Sequence, residues 1–193
     1  MLLAPPLPVA TFGVLSLLGM PGSGKSTLGR RLATSFGCPF LDLDAAIEER
    51  TGQRIPAIFK AEGEAFFRQL EADTLREAAT RPGPLVLATG GGTPCFHDNL
   101  AVLQAAGPTL WLDVPNSVLA ARLQAAGLAS RPLLAAAQPA FDEGESPLET
   151  WLRETLAARS RFYALARLHL PNPGLVDVLP AALALLSKAG YLA

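Results

Sequence analysis

Cysteine is almost missing from this 193-residue chain. Cys38 and Cys95 are the only two, which excludes a disulfide framework and fits no metal or redox spacing. Both read as buried or half-buried free thiols of a reducing cytoplasm. Histidine is as rare, and His97 and His169 stand isolated, so each reads as structural or surface. Lysine occurs only at 25, 60 and 188, which makes each one worth weighing alone. There is no excess of either charge: 16 basic residues face 17 acidic ones, for a net charge of -1 and no basic stripe. A nucleic-acid partner is therefore not expected. No long unbroken apolar run occurs. Residues Met1 to Gly24 carry no charge, but four prolines interrupt them and no basic segment precedes them. That stretch reads as a Pro-rich lead into a first strand rather than a signal peptide or membrane span. Repeats and heptads are also lacking. A cytoplasmic monomer with no membrane partner is the expectation.

What is present is half hydrophobic by residue count, enough for a full core in one domain spanning 1–193. Apolar strand-like runs alternate with longer helical stretches, the pattern of a parallel sheet covered by helices. The runs predict strands at 12–18, 40–42, 85–88, 109–113 and about 168–170. Helices are expected from about 25 to Phe36, stopping at Gly37, and over about 44–80 with breaks at Thr51-Gly52 and Pro56. Others should follow Pro115 at a first helical position, span 148–165, and close the chain from 175 to 188. Gly127 to Pro147, rich in Ala, Gly and Pro, reads as a mobile segment.

Gly19-Met20-Pro21-Gly22-Ser23-Gly24-Lys25-Ser26 fits G-x-x-x-x-G-K-[ST] between an expected strand and an expected helix. Such a loop turns successive N–H groups of Gly22, Ser23, Gly24, Lys25, Ser26 and Thr27 toward phosphate, and the helix N-terminus adds positive potential. Lys25 would bridge the β- and γ-phosphates of ATP, and the Ser26 hydroxyl would bind Mg²⁺. A GTPase would need an Asn-Lys-x-Asp guanine reader, which lysines at 25, 60 and 188 exclude.

The acceptor is a separate question. Arg68 lies in a segment otherwise rich in Phe and Ala, with Glu71 one helical turn further on. A planar, permanently charged guanidinium held by a carboxylate suits recognition of a carboxylate ligand. Gly90-Gly91-Gly92 would let backbone approach the acceptor closely. A nucleotide acceptor would need base-reading groups and more positive charge than this segment supplies, whereas gluconate shares the carboxylate and hydroxyls.

Four blocks stand in order behind the P-loop: Leu41-Asp42-Leu43-Asp44, Phe67-Arg68-Gln69-Leu70-Glu71, Gly90-Gly91-Gly92, and Arg131-Pro132-Leu133-Leu134. In that order the chain resembles the shikimate kinases from Leu15 to about Pro173. The resemblance implies a three-layer α/β P-loop kinase fold of about five parallel strands with helices on both faces. It implies a helical acceptor-binding insertion at about 44–80 and a lid at about 127–147. It implies ATP as co-substrate, Mg²⁺ as cofactor and shikimate as acceptor. It gives Asp44 the acceptor hydroxyls and the general-base role, with Lys25 and Arg131 as its catalytic companions. Asp42 becomes the carboxylate that holds Mg²⁺ through a water, while Arg68, Gly91, Gly92 and Arg159 become the acceptor's contacts. Arg159 aligns with the family's second carboxylate-binding arginine, with Arg161 the near alternative. Arg131 would swing onto the transferring phosphoryl group. At the adenine end Pro173 matches the family loop. The usual base-stacking arginine is replaced by Gln124 or Ala125, with Arg122 further off.

Overall fold

In the computed structural model, residues 8–126, 146–172 and 177–193 are described. Five strands form one sheet: β1 (Val14–Leu18), β2 (Phe40–Asp42), β3 (Leu85–Ala88), β4 (Thr109–Asp113) and β5 (Leu168–Pro171). Their order is β2-β3-β1-β4-β5, and all four pairings are parallel. In β1, Val14 pairs with Leu85 and Leu17 with Ala88 of β3. Strands covered on both faces need no polar side, so β3 reads as an unbroken apolar run and β1 is apolar but for Ser16, and both are buried throughout.

Side chains alternate across the sheet and divide the core in two. Leu15, Leu17 and Val86 pack against Leu28 and Leu32 of α1 (Lys25–Phe36) and Leu186 of α7 (Leu179–Lys188). Val14, Leu18, Leu85 and Leu87 face the other helices. These are α2 (Leu43–Thr51), α3 (Ile55–Ala79), α4 (Asn99–Ala106), α5 (Asn116–Ala126) and α6 (Pro147–Tyr163). The expected α/β fold with helices on both faces is the observed one. Helix α1 packs unusually close to the sheet: a Cβ at Gly29 would lie 2.5 Å from the Phe40 ring.

Helix ends follow from their caps. Helix α1 stops at Gly37 with φ 61°, as its sequence predicts. Helix α6 opens on a reciprocal capping box between Ser146 and Glu149, an arrangement worth about 1 kcal/mol. Three boundaries differ from expectation. Pro56 does not interrupt a helix but sits in the first turn of α3, where its missing N–H costs no bond. The real interruption of α3 is at Gly63, with φ 79° and ψ 177°. Pro115 precedes α5 rather than opening it, since the helix runs from Asn116. The expected start of the last helix at 175 lies outside the described residues. Helix α7 itself begins at Leu179, whose N–H donates to the Asp177 carboxylate at 3.0 Å.

The expected lid at 127–147 falls mostly on 127–145 and so outside the described residues, together with Arg131. Pro173 lies outside them as well. Among the described residues no helix is long and apolar enough to cross a membrane.

Candidate active site

The carboxyl ends of parallel strands are where open α/β sheets place ligands, and a cavity of about 800 Å³ opens there. One end is made by the loop from β1 into α1, with Gly22, Ser23, Gly24, Lys25, Ser26 and Thr27 on its wall. Lys25 is buried, and its ammonium donates to the carbonyls of Gly19 and Met20, both at 2.9 Å. Those bonds fix the only lysine of the site at the mouth of the loop. The Ser26 hydroxyl donates to Asp42 Oδ2 at 2.5 Å, which joins the start of α1 to the end of β2. Asp42 also caps α2, its Oδ1 accepting from the Ala45 N–H at 3.4 Å, which leaves Asp44 in the first turn of that helix.

Arg122, further off in the sequence from the base-stacking position, is brought here by the fold. Its Nη1 donates to the Gly22 carbonyl at 3.1 Å, and it lines the cavity. At the same rim Arg31 and Asp177 pair through two bonds of 2.6 and 2.8 Å. The Arg31 guanidinium beside Asp177 brings that carboxyl down to about 2. No sequence signal marked this pair, because its members lie on α1 and just before α7.

The other end of the cavity is made by α2, α3, α6 and the turn after β3. Arg68 is 5 % exposed and Glu71 is 1 % exposed. Arg68 Nη1 donates to Glu71 Oε2 at 3.0 Å, so the expected pair is a buried one. A second, unexpected partner is Glu64, whose Oε1 accepts from Arg68 Nε at 3.2 Å and Nη2 at 3.0 Å. The Phe96 ring covers one face of the guanidinium, 4.0 Å from Cζ. Glu71 is fixed again by the Thr93 hydroxyl, which donates to its Oε1 at 2.6 Å.

The glycines after β3 are packed against these charges. A Cβ at Gly92 would sit 2.9 Å from both Arg68 Nη atoms, and one at Gly91 would sit 3.0 Å from Arg159 Nη1. At Gly90 it would lie 2.9 Å from Asp44 Oδ1 and 3.0 Å from Glu71 Oε1. Asp44, Arg68, Arg159, Gly91 and Gly92 thus share one wall of the cavity that holds the P-loop at its other end. Arg161 does not reach that cavity. It lines only a side cavity of about 330 Å³ and lies over the Phe162 ring.

Further residues of this end carry no sequence signal. Trp151 lines both cavities. Tyr163 is buried and donates its hydroxyl to the Gly91 carbonyl at 2.6 Å. Burial pushes its phenol up, so it remains a neutral donor and holds the glycine turn in place. Burial also pushes the Cys95 thiol up, against the opposing charges of Arg159 and Arg68. Both cysteines are half-buried and free. His169, expected to be structural or surface, accompanies Asp113 at 2.9 Å and stacks on Trp111.

The arrangement can hold a triphosphate at one end and a small hydroxylated carboxylate at the other, and Asp44 lines the same cavity. Known proteins give the same reading. The sequence profile of the family described as Shikimate kinase matches residues 21–173. A shikimate kinase of Phocaeicola vulgatus is 40% identical over 151 residues, covering 78% of this chain and 82% of that protein. One from Gloeobacter violaceus is 44% identical over 163 residues, covering 83% of this chain and 84% of its own. Among solved structures, the shikimate kinase of Acinetobacter baumannii in complex with shikimate superposes with a TM-score of 0.80 at 33% identity. That superposition covers 93% of this chain and 96% of the other. With the profile spanning most of the chain and the fold shared, the protein belongs to the shikimate kinase family and is an ATP-dependent kinase.

Proposed function

We propose that the chain moves the γ-phosphate of ATP onto the 3-hydroxyl of shikimate, with roles divided along the cavity as follows. The P-loop amides and Lys25 take the phosphates, and Arg122 braces the loop's outer turn through the Gly22 carbonyl. Asp44 accepts from the acceptor hydroxyl and removes its proton as the phosphoryl group arrives. Arg68 and Arg159 hold the carboxylate, while Gly91 and Gly92 bring backbone against the ring.

The hydroxyl of Ser26 and the carboxylate of Asp42 are hard oxygen donors side by side at the phosphate end, a donor set that suits Mg²⁺. Ser26 would ligate it directly and Asp42 through a water, and its charge would neutralise the β- and γ-phosphates. Among the described residues no group of three or more His, Cys, Asp and Glu is placed to hold a metal. That fits an ion carried mainly by nucleotide and water. The reading takes the enzyme as a monomer, working on cytoplasmic ATP.

The observation that carries the reading is a buried guanidinium, locked by Glu71, in the same cavity as the P-loop. A coupled assay of ADP release tests it. Shikimate should support turnover, while gluconate and nucleoside monophosphates should give under about one per cent of its kcat/KM, a discrimination of ~2.7 kcal/mol. Equal turnover with gluconate would end the acceptor assignment. Arg131 is assigned to the transferring phosphoryl group on the family blocks alone. Arg131→Ala should therefore lower kcat and leave shikimate binding to the ADP complex unchanged in calorimetry.

A further inference from the structure

We infer that Thr93 is a positioning residue for the acceptor's carboxylate: by holding one oxygen of Glu71, it keeps that residue from closing both of its oxygens on Arg68. The inference rests on the proposed role of Arg68. A carboxylate beside a guanidinium takes two parallel N–H bonds when both its oxygens are at liberty, and so occupies two donors. Glu71 does not. Its Oε2 accepts from Arg68 Nη1 at 3.0 Å, while its Oε1 accepts from the Thr93 hydroxyl at 2.6 Å. One oxygen serves the cation and the other is committed elsewhere. What this preserves is a place for the acceptor. Gly92 has no side chain, and a Cβ built there would stand 2.9 Å from both Nη atoms of Arg68. For a carboxylate oxygen that is hydrogen-bond distance. Arg68, Glu71 and Gly92 all line the cavity that holds the P-loop.

Thr93 is itself held firmly. It is wholly buried, as is Asn99, whose Nδ2 donates to the Thr93 carbonyl at 3.0 Å. The Thr93 N–H donates to the Gly90 carbonyl at 3.2 Å, and the Cys95 N–H to that of Gly92 at 2.9 Å. The residue that restrains Glu71 is therefore fastened to the same glycine turn that faces the acceptor. Its branched Cβ restricts the side chain to few rotamers and so aims the hydroxyl. Glu71 is 1 % exposed, so bulk water does not replace a lost hydroxyl there. A buried carboxylate oxygen deprived of its donor turns to the next one, and the Arg68 guanidinium is already beside it.

Calorimetry on the ADP complex tests this with two ligands, shikimate and its neutral carboxamide. Thr93→Val keeps the shape of the side chain and removes the hydroxyl, while Thr93→Ser keeps the hydroxyl. Thr93→Val should bind shikimate about tenfold more weakly, the scale of one hydrogen bond to a charged group. Thr93→Ser should stay within about twofold of wild type. The carboxamide, which makes no ion pair with Arg68, should bind all three proteins alike. In turnover KM for shikimate should rise in Thr93→Val, with kcat and KM for ATP unchanged. Thr93→Ala removes the same hydroxyl and gives the same reading where Thr93→Val does not fold. A merely structural Thr93 predicts a lower melting temperature with shikimate affinity intact, or an equal loss for acid and amide. Either result, or a Thr93→Ser as weak as Thr93→Val, overturns the inference while wild type still prefers the acid. If wild type binds acid and amide equally, the role of Arg68 falls, and this inference falls with it.

Discussion

Lys25→Ala should leave a folded protein whose kcat is about a hundredfold lower, the scale seen when one preorganised group facing transition-state charge is removed. Folding should survive because the loop is held by its own backbone. The Ser23 N–H donates to the Met20 carbonyl at 3.1 Å and the Leu28 N–H to that of Gly24 at 2.9 Å. What goes is the one ammonium on the wall of the phosphate end, now bonded to the Gly19 and Met20 carbonyls. A steady-state assay read beside a thermal melt separates the two effects. Retention of more than about a tenth of wild-type kcat, under ~1.4 kcal/mol of barrier, would remove Lys25 from the transition state.

Arg68→Ala should cost about 2–5 kcal/mol in shikimate binding, read as a rise in KM for shikimate with little change for ATP. This variant also leaves Glu71 buried without its cation, which lowers the melting temperature and muddies the comparison. Two further measurements keep the test clean. Arg68→Lys retains the charge and loses the fork, so it should bind shikimate worse than wild type while melting closer to it. The neutral carboxamide should bind wild type poorly and discriminate little between wild type and Arg68→Ala. A carboxamide that suffers the full mutational loss would mean that Arg68 touches some other part of the acceptor. Arg159→Ala should behave in the same direction with a smaller loss of stability, since Arg159 is less enclosed than Arg68 and its buried neighbour is the Tyr163 hydroxyl rather than a carboxylate.

The phosphate end was legible in the sequence because it is local. Eight consecutive residues carry the backbone turn, the ammonium and the hydroxyl, and the strand and helix that flank them obey ordinary periodicity. The Arg68–Glu71 pair was legible for the same reason, being one helical turn apart. Glu64 is also one turn from Arg68. It escaped notice because a half-exposed i,i+4 pair resembles any solvated helix surface until the kink at Gly63 is seen. That kink has no sequence signature beyond a single glycine in a helical pattern. Pro56 drew the expected break toward itself, although proline in a first turn opens helices as readily as it ends them. Tyr163, Trp151 and Arg122 were illegible for another reason. Each reaches the site by tertiary packing from α5 or α6, across a separation that no spacing rule covers.

Glycine inside a helix is the first target of anyone raising a protein's melting point, because alanine there limits the unfolded chain and favours the helix by about 0.4–1 kcal/mol. Gly29 is closed to that strategy. Its α-hydrogen faces the Phe40 ring, and a methyl group in its place would stand 2.5 Å from a ring carbon. The residue lies three positions after Ser26 on α1, and Phe40 lies two before Asp42 on β2, so their contact acts as a spacer. It sets how far the first helix stands from the second strand, and hence the 2.5 Å separation between hydroxyl and carboxylate. Any thickening at position 29 spends the helical gain on separating those two oxygens.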